Sequence, residues 1–226
     1  MTSLRYPGLE HQPDSGEKQR LWVQQIRRVL RTQFGRPTGL LGKAAGVIMA
    51  RRPSNNDRIH WTLSLLNVQP RDRVLEVGTG PGVAIELLSK IATAGFVAGI
   101  DHSDEMIAQS VKRNRVAVQA GQVFLRQSAA SHPPQFDKPF DKILTINSIH
   151  FWNDPVACLR NLRSVLRPGG VMAVTLQART RSATDETTEI LGKEIAAKLK
   201  EAGFSHCEVA MKKTAPAAMT CVLATN

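Results

Sequence analysis

Cysteine is scarce in this chain. Cys158, Cys207 and Cys221 are widely spaced and odd in number. They form neither a CxxC pair nor a zinc-ligand spacing, and such usage fits a reducing cytoplasm. Long apolar runs are also missing. None reaches the ~18–20 residues that a membrane span needs. The opening stretch, MTSLRYPGLEHQPDSGEKQR, holds no continuous apolar segment, so no secretory signal is expected. No convincing cluster of metal-ligating side chains stands out, and there is no internal repeat. Acid is in short supply as well: 19 Asp and Glu face 30 Lys and Arg, for a net charge of +11.

That imbalance is uneven. Residues 1–60 carry 11 Lys and Arg against 4 Asp and Glu, whereas residues 61–226 carry 19 against 15. A basic excess favours anionic partners such as nucleic acid, an anionic membrane surface or an acidic metabolite, without choosing among them. The 226 residues are enough for one α/β domain with a sizeable core and an N-terminal extension. A hydrophobic content of 42% and a mean hydropathy of −0.19 fit a soluble globular protein.

Against this background one stretch organises the chain: Val74 to Val83, VLEVGTGPGV. A short apolar run is broken by one acid, Glu76. Glycines follow at alternate positions, Gly78, Gly80 and Gly82, and AIELLSKI then reads as a helix. A strand, a tight glycine turn and a helix start make a nucleotide-type site. The glycines allow positive φ and a close backbone approach, and the helix start supplies N–H donors. The spacing is one shorter than the dinucleotide GxGxxG fingerprint, and Pro81 sits between the last two glycines. With its acid two residues before Gly78, the stretch resembles the first motif of class I S-adenosylmethionine (SAM) methyltransferases. The resemblance runs from about Asn67 to Asn226.

The rest of the chain extends that likeness. Phe96 to Ile100 reads as a second strand ending on Asp101, followed by a helix over about Ser103–Asn114. An acid at this place can accept hydrogen bonds from both ribose hydroxyls. The family pattern here is acid, variable, Ser, two polar residues, Met, and Asp101, Ser103 and Met106 match it. The resemblance therefore implies a ribose contact at Asp101, with His102 and Met106 near the adenine. Gln122–Arg126 reads as strand three. The family then places an acid and a small residue against the adenine amino group, whereas this chain has Gln127-Ser128-Ala129. Ser128 occupies the acid's place and offers only a neutral contact; Gln127 or a backbone carbonyl is the alternative.

Strand four, Lys142–Ile146, leads into Asn147-Ser148-Ile149-His150-Phe151-Trp152. Ligands of open α/β sheets bind beyond the carboxyl ends of strands, so this segment should face the methyl group and its acceptor. It lacks the Asn/Asp-Pro-Pro-aromatic motif of base-amino methyltransferases. Asn147 and Ser148 are expected at the SAM amino-acid moiety or the acceptor, and His150 is the candidate general base. The cofactor-binding set implied is thus Glu76, Gly78, Thr79, Gly80, Gly82, Asp101, His102, Met106, Ser128, Ala129, Asn147 and Ser148, with no metal.

The spacing predicts a helix over Val156–Leu166, ended by RPGG, where glycine suits a helix cap. LRPGG before strand five, Val171–Leu176, is a second likeness to the family. A helix over Glu189–Ala202 and two terminal strands, Phe204–Met211 and Ala218–Ala224, complete the domain. The resemblance implies a Rossmann-like α/β fold: a seven-strand sheet of order 3-2-1-4-5-7-6, strand seven antiparallel, helices on both faces.

The division expected is an N-terminal arm and helical lid over residues 1–60 and the methyltransferase domain over residues 61–226. Glu17–Phe34 patterns as a basic amphipathic helix, and Leu40–Ala50 is small and apolar. Ser54-Asn55-Asn56-Asp57 offers N-cap chemistry for a helix over Asp57–Leu66. Segments before the first strand cover the SAM pocket in many relatives, which makes Asn55, Asn56, His60 and Trp61 candidate pocket residues; capping and packing are the alternative roles.

The expected activity is methyl transfer from SAM to a small-molecule acceptor in the cytoplasm, leaving S-adenosylhomocysteine. One alternative puts the same chemistry on a phospholipid amine or other lipid, with residues 17–52 touching the inner, anionic face of a membrane. A second is a non-catalytic SAM-binding protein that contacts nucleic acid through its basic extension. The missing base-amino motif weighs against nucleic acid.

Overall fold

The computed structural model describes residues 53–178, 183–215 and 217–226. The expected basic helix and apolar stretch, and hence any lid or membrane role of residues 17–52, lie outside the described residues.

Helix α1 spans Pro53–Leu66. It starts four residues before the expected Asp57, so the backbone of Ser54-Asn55-Asn56-Asp57 is already helical; the side chains of residues 53–55, the candidate Asn55 among them, lie outside what is described. Proline is tolerated as a first helical residue because its missing N–H would have had no intrahelical acceptor. Asn67 ends the helix at φ 50°, its N–H bonded to Leu63 O at 3.1 Å. The helix runs across residue 60, where the division between extension and domain was expected.

Seven strands follow: β1 Arg73–Val77, β2 Phe96–Asp101, β3 Val123–Gln127, β4 Phe140–Ile146, β5 Leu166–Gln177, β6 His206–Lys212 and β7 Met219–Thr225. Their order is β3-β2-β1-β4-β5-β7-β6. β7 runs antiparallel to β5 and β6, and the other pairings are parallel. The connecting helices are α2 Val83–Ile91, α3 Asp104–Arg113, α4 Arg115–Gln119, α5 Pro155–Ser164 and α6 Asp185–Glu201. Val74 to Val77 are all buried, as expected of a central parallel strand covered on both faces. Ile59, Leu63 and Leu66 of α1 join Val74, Ile85, Leu88, Val97 and Leu144 in the core.

Two expectations about the segments on either side of β5 need correction. Helix α5 stops at Ser164, before Leu166, and RPGG does not cap it. Instead Leu166 pairs with Phe140, the register shifts, and RPGG forms a bulged entry into β5. Asn226 holds this entry. Its backbone exchanges hydrogen bonds with Gly169 and Gly170, both 2.9 Å, and its amide donates to Leu166 O at 2.6 Å. Gly169 adopts φ 69°, which suits that bulge. Second, α6 begins four residues before the expected Glu189. Thr184 caps it: its hydroxyl accepts from Thr187 N, while Thr187 Oγ1 accepts from Thr184 N. This hydroxyl-only capping box makes a helix start out of a run that reads as a polar loop.

Candidate cofactor and active site

The glycine turn between β1 and α2 is pinned from β2. Gly78 N and Thr79 N donate to Ile100 O at 2.8 and 3.2 Å. Gly80 N donates to Asp101 Oδ2 at 2.9 Å, and Ser103 N donates to Asp101 Oδ1 at 2.9 Å. Both oxygens of Asp101 therefore shape the site, and each keeps a further lone pair for a ligand hydroxyl.

The three glycines differ. All have positive φ: 83° at Gly78, 50° at Gly80 and 78° at Gly82. A side chain at Gly80 would point into open space, with nothing within 4 Å. At Gly78 it would meet Ser148 Oγ at 2.5 Å. At Gly82 it would run into Ser110 and Asn114 of α3, and Gly82 N–H is spent on Thr79 O. Gly80 thus leaves open space over the turn, Gly78 lets the Ser148 corner close on it, and Gly82 lets α2 and α3 pack. Thr79 is buried beside them.

Glu76 lies beneath this turn, 3% exposed, and its Oε2 has no hydrogen-bond partner. Burial, and then the negative charge of Asp101, push its carboxyl well above the ordinary range. An orphaned buried carboxylate oxygen next to a second carboxylate is costly without a ligand. A ligand carrying positive charge and hydroxyl groups would answer both acids.

The other candidates are arranged as follows. His102 stands with Nδ1 3.4 Å from Asp101 Oδ1, and Met106 is buried on α3, whose N-cap is Ser103. Ser128, in the acid's place after β3, is engaged locally. Its hydroxyl donates to His132 O at 2.6 Å within a local turn, and Ala129 is exposed there. Gln127 instead donates its amide to His102 O at 3.2 Å, which ties the end of β3 to the Asp101 corner.

After β4 the chain makes a sharp corner. Asn147 has φ 53°, its N–H donates to Thr175 O and its Oδ1 accepts from Gln177 N at 2.8 Å. This corner carries Ser148 over Gly78. Trp152 Nε1 donates to Ser148 Oγ at 3.3 Å, so the tryptophan buttresses the corner. His150 is half-buried, its ring centre 4.1 Å from that of Phe151. On α1, Asn56 and His60 are exposed, and Trp61 packs against the core.

Sequence reasoning missed Arg58, Thr62 and Gln177, all buried. Arg58 Nη1 donates to Gln177 Oε1 at 2.6 Å. The available signal was their spacing: Arg58 and Thr62 lie four apart in the same arc of α1 as the apolar residues. A separate groove of about 660 Å³, lined by Arg160, Arg163, Glu201 and Asn226 among others, sits at the opposite end of the sheet from this site.

Comparisons with known proteins agree on one family. Residues 74–170 match the family model described as a methyltransferase domain. Over 180 residues the chain is 31% identical to an uncharacterized methyltransferase, YdaC, of Bacillus subtilis (strain 168), covering 80% of this chain and 96% of that one. A SAM-dependent methyltransferase from Aquifex aeolicus superposes with a TM-score of 0.64 at 22% identity, covering 79% of this chain and 97% of that one. The N-methyltransferase NodS from Bradyrhizobium japonicum WM9, solved with S-adenosylhomocysteine, gives a TM-score of 0.62 at 17% identity over 89% and 98%.

Proposed function

Because the chain belongs to the class I SAM-dependent methyltransferases, we propose that it moves the methyl group of SAM to a nucleophilic atom of a small molecule. The observation that carries the reading is Glu76, a buried carboxylate with a partnerless oxygen beneath an open glycine turn that Asp101 clasps. SAM brings an ammonium, a sulfonium and two ribose hydroxyls, the groups that such a pair of acids can serve.

In this reading Gly78, Thr79 and Gly80 supply the close backbone wall, and Asp101 holds the ribose hydroxyls. His102, Met106 and Gln127 line the adenine side. Ser128 and Ala129 contribute backbone there, since the Ser128 hydroxyl is engaged locally. Asn147 and Ser148 face the acceptor side. When bound, SAM supplies an electrophilic methyl group, so the protein's work is alignment and the exclusion of water. His150 is the proposed proton acceptor for the incoming nucleophile. A small acceptor is supported by the sequence after β4, which lacks the base-amino motif, and by a short β5–α6 connection.

The test uses SAM labelled in its methyl group, incubated with the protein and a cell extract. Label in the aqueous or organic small-molecule fraction is expected. Label confined to precipitated macromolecules would overturn the acceptor class, and a protein that binds neither SAM nor S-adenosylhomocysteine in calorimetry would overturn the reading itself.

A further inference from the structure

Helix α1 is joined to the active-site corner by a buried polar seam. Arg58, 2% exposed, donates Nη1 to Gln177 Oε1 at 2.6 Å. Gln177, 3% exposed, uses every side of its amide and backbone: its Nε2 donates to Ala217 O at 3.0 Å, and its N–H donates to Asn147 Oδ1 at 2.8 Å. One turn along α1, Thr62 Oγ1 shares a 2.8 Å hydrogen bond with Thr175 Oγ1 and donates to Arg58 O at 2.8 Å. Thr175 O in turn accepts from Asn147 N at 2.9 Å. Both contacts of α1 with the end of β5 thus lead to the same residue, Asn147.

Asn147 sits at φ 53°, a conformation that costs a non-glycine residue roughly 1 kcal/mol or more and persists where the surroundings over-determine it. Its neighbour Ser148 is pressed against Gly78 in the glycine turn. A buried arginine is an expensive way to hold a helix on a sheet, and apolar packing by Ile59, Leu63 and Leu66 already does so. What the arginine adds is direction: one guanidinium hydrogen bond orients the Gln177 side chain, whose backbone fixes Asn147.

We propose that Arg58 is a positioning residue, acting through Gln177 on the Asn147–Ser148 corner and so on the cofactor turn at Gly78. This deepens the SAM-site reading and rests on it. Arg58 acts through Gln177, not by a contact of its own with the reacting groups. It transmits the placement of α1 to the pocket wall.

The test is a double-mutant cycle read by S-adenosylhomocysteine calorimetry and by the amide NMR signals of Gly78, Asn147 and Ser148. Arg58→Met should shift those three signals in the free protein and weaken S-adenosylhomocysteine about tenfold. Asn147→Gly tolerates the backbone angle but severs the Gln177 link, and should weaken binding to a similar degree. The double variant should bind no worse than the weaker single one, because both changes break the same chain. Arg58→Lys keeps a donor for Gln177 Oε1 and should bind within about threefold of the parent, which also serves if the methionine variant fails to fold. Additive losses, or unmoved signals in Arg58→Met with a lower melting temperature alone, would reduce Arg58 to a structural residue and overturn the proposal. A parent protein that binds no S-adenosylhomocysteine would instead sink the SAM reading, while the NMR shifts, which need no ligand, would still report on the relay.

Discussion

The two ends of the parallel sheet are built to opposite rules. At the amino end charged and amide groups are densely paired, with Arg73 Nε and Arg163 Nε left over among the described residues. Asp141 accepts from Arg73 N at 2.8 Å and from Arg167 Nε at 2.6 Å. The Arg73 guanidinium reaches Asp137 and lies over the Phe96 ring at 4.6 Å, and Asn226 stitches the bulge into β5. At the carboxyl end the leftover group is an acid: Glu76 is buried with Oε2 unanswered, next to a glycine turn in which a side chain at Gly80 would meet nothing. One end is finished when the chain folds. At the other, the unanswered acid is the group that the proposed cofactor would serve.

Substitutions at each end should therefore separate binding from stability. The largest expected effect is Asp101→Ala. It removes the proposed ribose acceptor and the clasp on Gly80, and should weaken S-adenosylhomocysteine by about 100-fold or more in calorimetry, since hydrogen bonds to a charged group are worth ~1.5–3 kcal/mol each. An unchanged affinity would erase the distinction between the two ends. Asn226→Ala probes the opposite end. It should cost about 1–2 kcal/mol, lowering the melting temperature by roughly 3–6 °C with ligand affinity intact.

Glu76→Gln sharpens the contrast through pH. Burial, and then the charge of Asp101, raise the folded-state pKa of Glu76, so folding favours the neutral form more than the unfolded chain does. The stability it contributes is full below the unfolded value, near 4.5, and is lost as pH rises through the higher folded value. Glutamine escapes that loss. The variant should match the parent below about pH 4.5 and melt a few degrees higher near neutrality, while binding S-adenosylhomocysteine more weakly. Equal melting at both pH values would show that the buried carboxyl carries no cost. The smallest effect belongs to Arg167→Ala. Its partly exposed pair with Asp141 should be worth no more than about 0.5–1 kcal/mol and should fade in high salt, as chemical denaturation at two ionic strengths would register.

The alternation of apolar strands with helical spacing was legible from sequence, and the sheet order came from the family resemblance that the glycine turn and LRPGG carry. The places of Glu76, Gly80 and Asp101 were legible because each lies at or just beyond the carboxyl end of β1 or β2. What escaped was decided by side-chain hydroxyls and amides acting across long separations. Thr184 and Thr187 begin a helix inside a run that reads as polar loop. Ser128 sits where an acid was expected, yet its hydroxyl is taken by His132 O four residues on. Gln177 reads as the first residue of a loop, and only folding brings it to Arg58, 119 positions away. Residue type alone carries no mark of such partners.

The clasp of Asp101 on Gly80 N, like that of Ile100 O on Gly78 N and Thr79 N, is made entirely within the chain. The glycine turn is therefore already shaped when SAM arrives, and association need not wait for a loop to fold. Arrival should look like a single bimolecular step whose rate climbs linearly with ligand concentration, with no plateau set by a prior rearrangement. Ordering entropy has been spent during folding, so the affinity of this half of the pocket should depend little on how freely the rest of the chain moves.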